Sequence, residues 1–329
     1  MTNLTRLTGP IFVLYAILMS LPAFAGTPII NPPVHKIPFL SYPASGPLYA
    51  GPGATLTIIG KSISSTATTG SLAHCNGCAG VNIQGADFDV ENTTAILIEN
   101  AGTPANPIPI TIIHTRHKNP VFAVHLINST AAPSSTITHN EMKGITSKFQ
   151  HFIDIGNNSG GLSSDYCTAR GLNVANCVLK LWYNRIDGRD PVTNADPIYP
   201  AGSSGIVLGD GATLASTGYT TVIYDTLIYP GAVGIDIKGG TSQVLYYNEH
   251  YSTPDVSGAI ASVRVSKDPA SVRPAVPPAI SVSYGIQDDA TGHLPMFVDD
   301  GSMGNTTYSS NVDYDVNLNG DVNGFVGPE

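Results

Sequence analysis

The stretch 123–157 decides the fold: it opens with Ala123-Val124-His125-Leu126-Ile127-Asn128 and closes with His151-Phe152-Ile153-Asp154-Ile155-Gly156-Asn157. Both quoted segments alternate apolar and variable residues and end in Asn. Alternation with a period of two residues is typical of a β-strand that buries one face. The two segments share a phase, because Val124 and Ile153 are 29 residues apart. The sequence therefore indicates a strand that recurs at a nearly fixed interval, as in repeat proteins.

The same kind of segment recurs on both sides of this stretch. Its first inward residues are Ile96, Val124, Ile153, Ile206 and Ile235, at spacings of 28, 29, 53 and 29 residues. We interpret the spacing of 53 as one repeat with about 25 inserted residues. A second family of predicted strands alternates with the first family without exception and covers residues 83–88, 112–117, 137–142, 181–186, 223–228 and 245–250.

A coil of roughly 30 residues cannot bury its apolar side alone, so neighbouring coils must stack. Over residues 54–265 the chain resembles the right-handed parallel β-helix, or pectin-lyase-like, superfamily. In that resemblance, Asn140, Asn184 and Asn248 form a turn asparagine ladder at the fourth place of the second strand family. An Asn there can satisfy buried backbone groups and tolerate the left-handed conformation. We therefore predict an all-β fold, a right-handed parallel β-helix solenoid with a C-terminal cap or packed-back tail.

The two ends of the chain differ from the repeat in composition. Residues 1–25 hold a basic residue, an apolar run over 11–21 and then Ala23-Phe24-Ala25, a pattern typical of a signal peptide. We expect a Pro/Gly-rich lead-in over 26–53 and a Pro-rich linker with a C-terminal cap over 266–329. No later segment reaches about 18 consecutive apolar residues, so no membrane span is expected. These features predict a secreted or periplasmic protein.

Composition and charge narrow the class of partner. The chain has 34 Gly, 25 Pro and only 12% charged residues, which favours many turns and few helices. Its formal net charge of -9 argues against binding to nucleic acid, which rewards a basic surface. We expect a monomer whose partner is a polysaccharide.

The four cysteines fall into two pairs that are close in sequence, Cys75 with Cys78 and Cys167 with Cys177. In an exported chain such pairs predict disulfides. A metal or haem site over residues 74–78 is the alternative, but haem attachment needs a His after the second Cys and zinc needs further ligands. The second pair lies at an insertion, and insertions in a solenoid form loops that can wall a groove.

The outward place of the first strand family carries the candidate catalytic residues. On successive coils it holds Leu97, His125, Asp154, Val207 and Asp236. Stacked strands lie about 4.7–4.9 Å apart, so Asp154 and Asp236 would be separated by nearly the spread that inverting glycosidases use. We predict Asp154 and Asp236 as acid and base, His125 as the group that orients Asp154, and Lys238 as a ligand for a substrate carboxylate. The alternative interpretation is an ordinary solvated face.

Two further outward columns lie on the second strand family. One contains Trp182, Tyr224 and Tyr246, which we predict to bind substrate by stacking against sugar rings; the alternative is that the tail covers them. The other alternates in charge, as expected for cross-strand pairs that fix the register, and contains Asp87, Arg116, Glu141, Arg185, Leu227 and Glu249. His114 and His139 are expected to stack at the turn, and His117 and His250 to point inward.

A candidate calcium site lies near the end of the chain. Asp315, Asn317, Asn319 and Asp321 occupy alternate places, with Gly at the sixth place of the segment. Oxygen ligands at this spacing are typical of an EF-hand-like calcium loop. The twelfth place holds Val326 where that loop has an acidic ligand, so a plain Asn/Gly turn is the alternative.

The superfamily resemblance implies a carbohydrate-active protein, either a polysaccharide lyase or a glycoside hydrolase. The chain offers Asp236-Ile237-Lys238 where the polygalacturonases carry Arg-Ile-Lys, and it lacks the Arg-x-Pro-x-x-Arg stretch of the pectate lyases. The competing class is a non-catalytic extracellular solenoid that binds a glycan or another partner. Because a fold hosts many functions, the site must decide between them.

Overall fold

Alternating apolar residues build 29 β-strands and two short α-helices in the part of the chain that the computed structural model describes. The described residues are 42–44, 48–65, 69–90, 92–144, 149–156, 159–162, 164–188, 203–209, 219–224, 227–229, 233–238, 241–243, 249–252, 261–265, 280–283, 285–289, 297–299, 306–309, 312–315 and 325–326. The predicted signal peptide lies outside them.

The elements follow one another in a regular order. In chain order they are β1 Tyr42–Ala44, β2 Leu48–Ala50, β3 Thr55–Ile59, β4 Lys61–Ser65, β5 Ser71–Asn76, β6 Gly80–Gln84, β7 Asp87–Val90, β8 Thr94–Glu99, β9 Ile110–Ile113, β10 Arg116–Lys118, β11 Phe122–Ile127, β12 Thr136–Thr138, β13 Glu141–Lys143, β14 His151–Gly156, α1 Ser164–Ala169, α2 Val174–Cys177, β15 Leu179–Trp182, β16 Arg185–Asp187, β17 Ser204–Leu208, β18 Tyr219–Tyr224, β19 Leu227–Tyr229, β20 Val233–Ile237, β21 Thr241–Gln243, β22 Glu249–Ser252, β23 Ala261–Val265, β24 Ile280–Ser283, β25 Gly285–Asp289, β26 Phe297–Asp299, β27 Thr306–Ser309, β28 Val312–Asp315 and β29 Phe325–Val326.

Every third strand joins the same sheet, and the paired strands are parallel. Sheet 1 has the order β2-β5-β8-β11-β14-β17-β20-β23-β26-β29, sheet 2 the order β3-β6-β9-β12-β15-β18-β21, and sheet 3 the order β1-β4-β7-β10-β13-β16-β19-β22-β25-β28. Strands β24 and β27 form a separate two-stranded sheet. From β2 to β22 each coil thus visits sheets 1, 2 and 3 in turn, which confirms the all-β parallel β-helix.

The predicted register of the first strand family is confirmed. Val124 pairs with Ile96 on one side and with Ile153 on the other, and Ile206 and Ile235 continue the row. All five residues are buried and belong to the apolar core. The 28- to 29-residue repeat therefore stacks identical positions, because one residue of slip would turn the apolar side chains outward.

The sequence predicts that the segments of the second strand family are single strands. In the structure they instead form a corner between two sheets. Each of the first four segments ends a strand of sheet 2, makes a turn and begins a strand of sheet 3, as Thr138, His139-Asn140 and Glu141 do between β12 and β13. A two-residue turn interrupts the alternation too briefly to be visible as a break in the apolar pattern. Beyond β19 the register also differs by one residue from the prediction, because Ile228 pairs with Tyr251 instead of His250.

The asparagine ladder is present at Asn140 and Asn184, which are both buried. Asn140 Oδ1 accepts a hydrogen bond from the Thr115 backbone N–H at 2.9 Å, and Asn140 Nδ2 donates to Asn184 Oδ1 at 3.0 Å. The left-handed conformation, however, belongs to the preceding residues, with φ of 56° at both His139 and Tyr183. The asparagines are selected for their hydrogen bonds. Asn248 lies outside the described residues.

The predicted histidine positions can be compared with the structure at three of four places. His114 and His139 stack with ring centroids 5.1 Å apart. His117 is buried, stacks on Phe88 and contacts Thr115 Oγ1 at 2.8 Å, and burial lowers its pKa to about 3. The side chain of His250 lies outside the described part of the structure. These histidines fill structural positions.

Strands of sheets 1 and 3 lie on both sides of residues 54–265. Strands β1 and β2 belong to the segment predicted as a lead-in, and β25, β26, β28 and β29 to the segment predicted as a cap. The stacking of sheets 1 and 3 therefore continues past Val265 into the C-terminal segment.

Both predicted disulfides are present, and the larger insertion packs around one of them. Cys75 bonds to Cys78, and Cys167 bonds to Cys177. Helices α1 and α2 lie in the insertion, where Leu162 packs with the second disulfide in a small apolar cluster. No helix among the described residues is long and apolar enough to cross a membrane.

Candidate functional site

The outward side chains of sheet 1 form one continuous column, here called the outer column. Strand pairing aligns its members along the stack in the order Tyr49, His74, Leu97, His125, Asp154, Val207, Asp236 and Arg264. His125 and Asp154 are neighbours, and Asp236 is two rungs beyond Asp154. Their order along the column therefore agrees with the spacing of the sequence.

His125 and Asp154 form the first close contact in this column. His125 Nε2 lies 3.2 Å from Asp154 Oδ2, and the ring of Phe122 stacks on the imidazole with centroids 4.2 Å apart. The His125 side chain is 18% exposed and that of Asp154 only 3%. Burial lowers the pKa of His125 to about 4, so the imidazole is neutral at pH 7. A buried carboxylate thus orients a neutral imidazole whose edge reaches solvent.

Asp236 is surrounded by cations. Arg264 donates to it through two nitrogens, with Nε at 3.0 Å from Asp236 Oδ1 and one terminal nitrogen on Oδ2. Lys238 Nζ lies 3.8 Å from Asp236 Oδ2. The Asp236 side chain is 0% exposed. With both oxygens engaged by Arg264, Asp236 is placed to anchor cations and not to transfer a proton.

His151 joins the same cluster from the start of β14. It pairs in register with Phe122 on one side and Ser204 on the other. Burial, together with the positive charge of Lys238, lowers its pKa to about 3. His151 Nδ1 and Ser204 Oγ make no hydrogen bond within the described part of the chain. The neutral His151 therefore adds a polar group without charge beside the His125–Asp154 contact.

Arg264 and His151 are the site residues that the sequence prediction missed. For Arg264 a signal exists, because Val263 follows Ile235 by 28 residues and repeats the same alternation. For His151 no such signal exists, since residues three apart on a regular strand point to opposite faces. Yet Phe122 and His125, three apart on β11, stack on each other. A local bend of the strand therefore brings Phe122 and His151 to the outer column.

The predicted aromatic ladder is described only in part. Trp182 is half-buried, with Lys180 Nζ 4.8 Å from its ring centroid, and Tyr224 follows it in register. The side chain of Tyr224 and the whole of Tyr246 lie outside the described residues. The ladder therefore stays a prediction beyond the position of Trp182.

The predicted calcium ligands are also outside most of the described structure. Asp315 ends β28, and Asn317, Asn319 and Asp321 are not among the described residues. Elsewhere in the described part of the chain, no group of three or more His, Cys, Asp or Glu side chains is arranged to hold a metal ion.

No family model, no curated protein and no solved structure matches the chain. The assignment of a function thus depends on the residues of the outer column.

Proposed function

We propose that this chain is an exported member of the pectin-lyase-like superfamily that binds a polysaccharide along sheet 1 and cleaves it beside His125 and Asp154. The observation that carries the proposal is the 3.2 Å contact between His125 Nε2 and Asp154 Oδ2, with the carboxylate buried and the imidazole edge exposed. Support for the superfamily comes from the parallel β-helix with its stacked Asn140 and Asn184. Support for export comes from the Ala23-Phe24-Ala25 pattern.

The roles of the two residues follow from their environment. The neutral tautomer of His125 with its proton on Nε2, 3.2 Å from Asp154 Oδ2, keeps a lone pair on Nδ1, which can accept a proton from the substrate or from water. Asp154 fixes the tautomer and orientation of the ring, as a buried carboxylate does for a catalytic histidine. His125 is thus the proposed general base and Asp154 its positioning residue. This changes the roles predicted from the sequence, where Asp154 was the acid or base.

The cationic group two to three rungs further along would contact the sugar chain electrostatically. Lys238 and Arg264 are both partly exposed, and Asp236 balances one of their two charges. A partly exposed ammonium or guanidinium can hold a sugar carboxylate or hydroxyl. The proposed substrate is therefore an acidic or neutral polysaccharide, cleaved by a lyase or hydrolase reaction.

Turnover assays with matched variants test this proposal. The mature chain is incubated with polygalacturonate, alginate and xylan, and both unsaturated ends and reducing ends are followed. We expect His125→Ala to reduce turnover by about 10²- to 10⁴-fold, the range of general-base catalysis. Asp154→Asn keeps the base but changes the group that orients it, so it should reduce turnover less. Lys118→Ala, in an exposed contact with Asp89 on sheet 3, is the control and should retain full activity. Unchanged turnover in His125→Ala would exclude the proposed base.

The pH dependence of turnover gives a second readout of the same residue. Because His125 acts in its neutral form and burial lowers its pKa to about 4, activity should persist at moderately acidic pH and fall as the pH drops through about 4. An acid limb near the ordinary histidine pKa of about 6.5 would contradict a buried His125 as the base.

A non-catalytic solenoid is the second candidate function. It is favoured by the burial of Asp236 and its double contact with Arg264, an arrangement that holds neighbouring coils together. This candidate predicts that the wild-type chain binds a polysaccharide without releasing either kind of end. Binding that survives in His125→Ala, in the absence of any wild-type turnover, would favour it over the enzyme.

A further inference from the structure

Tyr49 is an exposed aromatic ring at the N-terminal end of the outer column. Its side chain is 64% exposed, the highest exposure among the large apolar residues that are exposed in the described structure. The ring is nevertheless held on two sides. His74 packs against it edge-on with centroids 5.4 Å apart, and a Cβ on Gly51 would lie 3.2 Å from a Tyr49 ring carbon. Tyr49 is therefore a positioned aromatic surface that faces solvent.

His74 belongs to a group of three polar side chains on the following two coils. His74 Nε2 and Asn76 Nδ2 both contact Glu99 Oε1 at 2.8 Å. The side chains of His74 and Glu99 are each 25% exposed. Among the described residues, Glu99 Oε2 and Asn76 Oδ1 make no further hydrogen bond. Two fixed acceptors thus stay available beside an aromatic face.

We propose that Tyr49, Asn76 and Glu99 form a subsite for a neutral sugar unit. The apolar face of the sugar ring stacks on Tyr49, and the sugar hydroxyls donate to Glu99 Oε2 and Asn76 Oδ1. Both oxygens are hydrogen-bond acceptors, so they suit hydroxyl donors. The carboxylate of Glu99 repels a sugar carboxylate, which excludes a uronate unit from this position. The inference rests on the proposed binding of a polysaccharide along sheet 1 and narrows its substrate class.

The subsite has a defined distance from the proposed reaction centre. Tyr49 is three rungs before His125 in the outer column, with His74 and Leu97 between them. Rungs are about 4.7–4.9 Å apart, so the two residues are separated by about 14 Å along the stack. A sugar unit in an extended chain covers about one rung. The neutral unit therefore binds about three units from the proposed position of cleavage.

Affinity electrophoresis with two immobilised polysaccharides tests the subsite. Xylan is the neutral probe and polygalacturonate the acidic probe. We expect Tyr49→Ala to weaken binding of xylan by about tenfold, which corresponds to about 1.4 kcal/mol. The matched control is Ile59→Ala, which removes another exposed apolar side chain from the same coil and should bind xylan like the wild type. Glu99→Gln removes the charge and should strengthen binding of polygalacturonate relative to xylan.

The outcomes separate this inference from the proposed function. Wild-type binding to xylan that Tyr49→Ala leaves intact, or that Ile59→Ala weakens equally, overturns the subsite. Failure of the wild type to bind xylan overturns it too. If xylan binding depends on Tyr49 but no polysaccharide is cleaved, the subsite stands and the proposed cleavage falls. If cleavage depends on His125 but xylan binding is independent of Tyr49, the cleavage stands and the subsite falls.

Discussion

Two outward columns of the same solenoid carry charged residues on successive coils, yet they lie in opposite environments. On sheet 3, Arg116 pairs with Asp87 through two hydrogen bonds while its side chain stays 54% exposed. On sheet 1, Arg264 pairs with Asp236 in the same two-nitrogen geometry, but Asp236 is fully buried. The difference teaches that paired charges can align neighbouring strands on either face of the solenoid. The burial of a pair, however, decides how much the pair contributes to the free energy of unfolding.

The energetic consequences of the two environments differ several-fold. An exposed ion pair contributes about 0–1 kcal/mol, because water screens it and two flexible side chains must be ordered. Removal of one partner of a buried pair costs about 3–5 kcal/mol, because the other charge stays buried without compensation. On sheet 3 the hydrogen bond to Asp87 raises the pKa of Arg116, so the guanidinium stays charged.

The largest expected effect comes from breaking the buried pair. Arg264→Met removes the guanidinium and leaves Asp236 with Lys238 as its remaining nearby cation. We expect the free energy of unfolding to fall by about 3–5 kcal/mol. Arg116→Met on sheet 3 is the matched change and should cost at most about 1 kcal/mol. Urea denaturation at pH 7 measures both values, and equal losses would contradict the comparison.

A double variant sharpens the same test. Asp236→Leu combined with Arg264→Met removes both charges, so no unpaired carboxylate stays buried. The double variant should therefore recover most of the stability that Arg264→Met loses. A double variant less stable than Arg264→Met would mean that packing, not charge, accounts for the loss.

Buried histidines extend the comparison to pH. The pKa of His117 is about 3 in the folded chain and about 6.5 in the unfolded chain, so the unfolded state binds more protons between these values. The free energy of unfolding must then fall as the pH drops below about 6.5. At about pH 4.5 the loss from His117 alone should be about 3 kcal/mol.

His117→Phe provides the control for this pH dependence. Phenylalanine keeps the ring that stacks on Phe88 but cannot titrate. The pH dependence of the free energy of unfolding between about pH 4.5 and 7 should therefore become shallower by the contribution of His117. Urea denaturation at both pH values measures the change. Parallel curves for wild type and variant would show that His117 is not the source.

The sequence was sufficient to predict the stacking of the coils but not the burial of the outer column. The spacing from Val124 to Ile153 predicts their pairing, because period-two alternation and a constant repeat leave only one register that buries both. The same alternation predicts that Asp154 lies beside His125, as the structure has it. It does not predict that Asp154 is buried, because burial depends on which other segments cover a face, and those contacts are not periodic.

Corners and bends were the other features that the sequence could not supply. A two-residue turn such as His139-Asn140 keeps the apolar pattern in phase on both sides, so a corner looks like a continuous strand. The bend that stacks Phe122 on His125 has no signature in composition. The position of Arg264 is predictable from the sequence, because Val263 keeps the 28-residue spacing from Ile235.

The buried asparagine column carries no charge. A substitution in it should lower the free energy of unfolding by an amount between the losses expected for the two charged columns. Asn140 bonds to the backbone N–H of Thr115 and to the backbone carbonyl of Ile112. Asn140→Ala leaves both groups buried without these partners and should cost about 2–3 kcal/mol. Asn140→Thr should cost less, since Thr115 occupies the equivalent place on the preceding coil. Thermal and urea unfolding of both variants measures the difference, and equal losses would contradict a role in hydrogen bonding.

Added salt should produce the smallest change in the free energy of unfolding. It nevertheless distinguishes the two charged columns most directly. At about 1 M salt the screening length falls to about 3 Å, so an exposed pair loses most of its attraction while a buried pair is screened much less. The cost of Arg116→Met, already below about 1 kcal/mol, should therefore approach zero at high salt. The cost of Arg264→Met should persist, because the Asp236 side chain has no contact with solvent. Unfolding of the two variants and the wild type at low and high salt measures this contrast. If salt reduced both costs in proportion, the outer column of sheet 1 would be solvated like that of sheet 3. That result would contradict the burial on which the proposed chemistry of His125 and Asp154 depends.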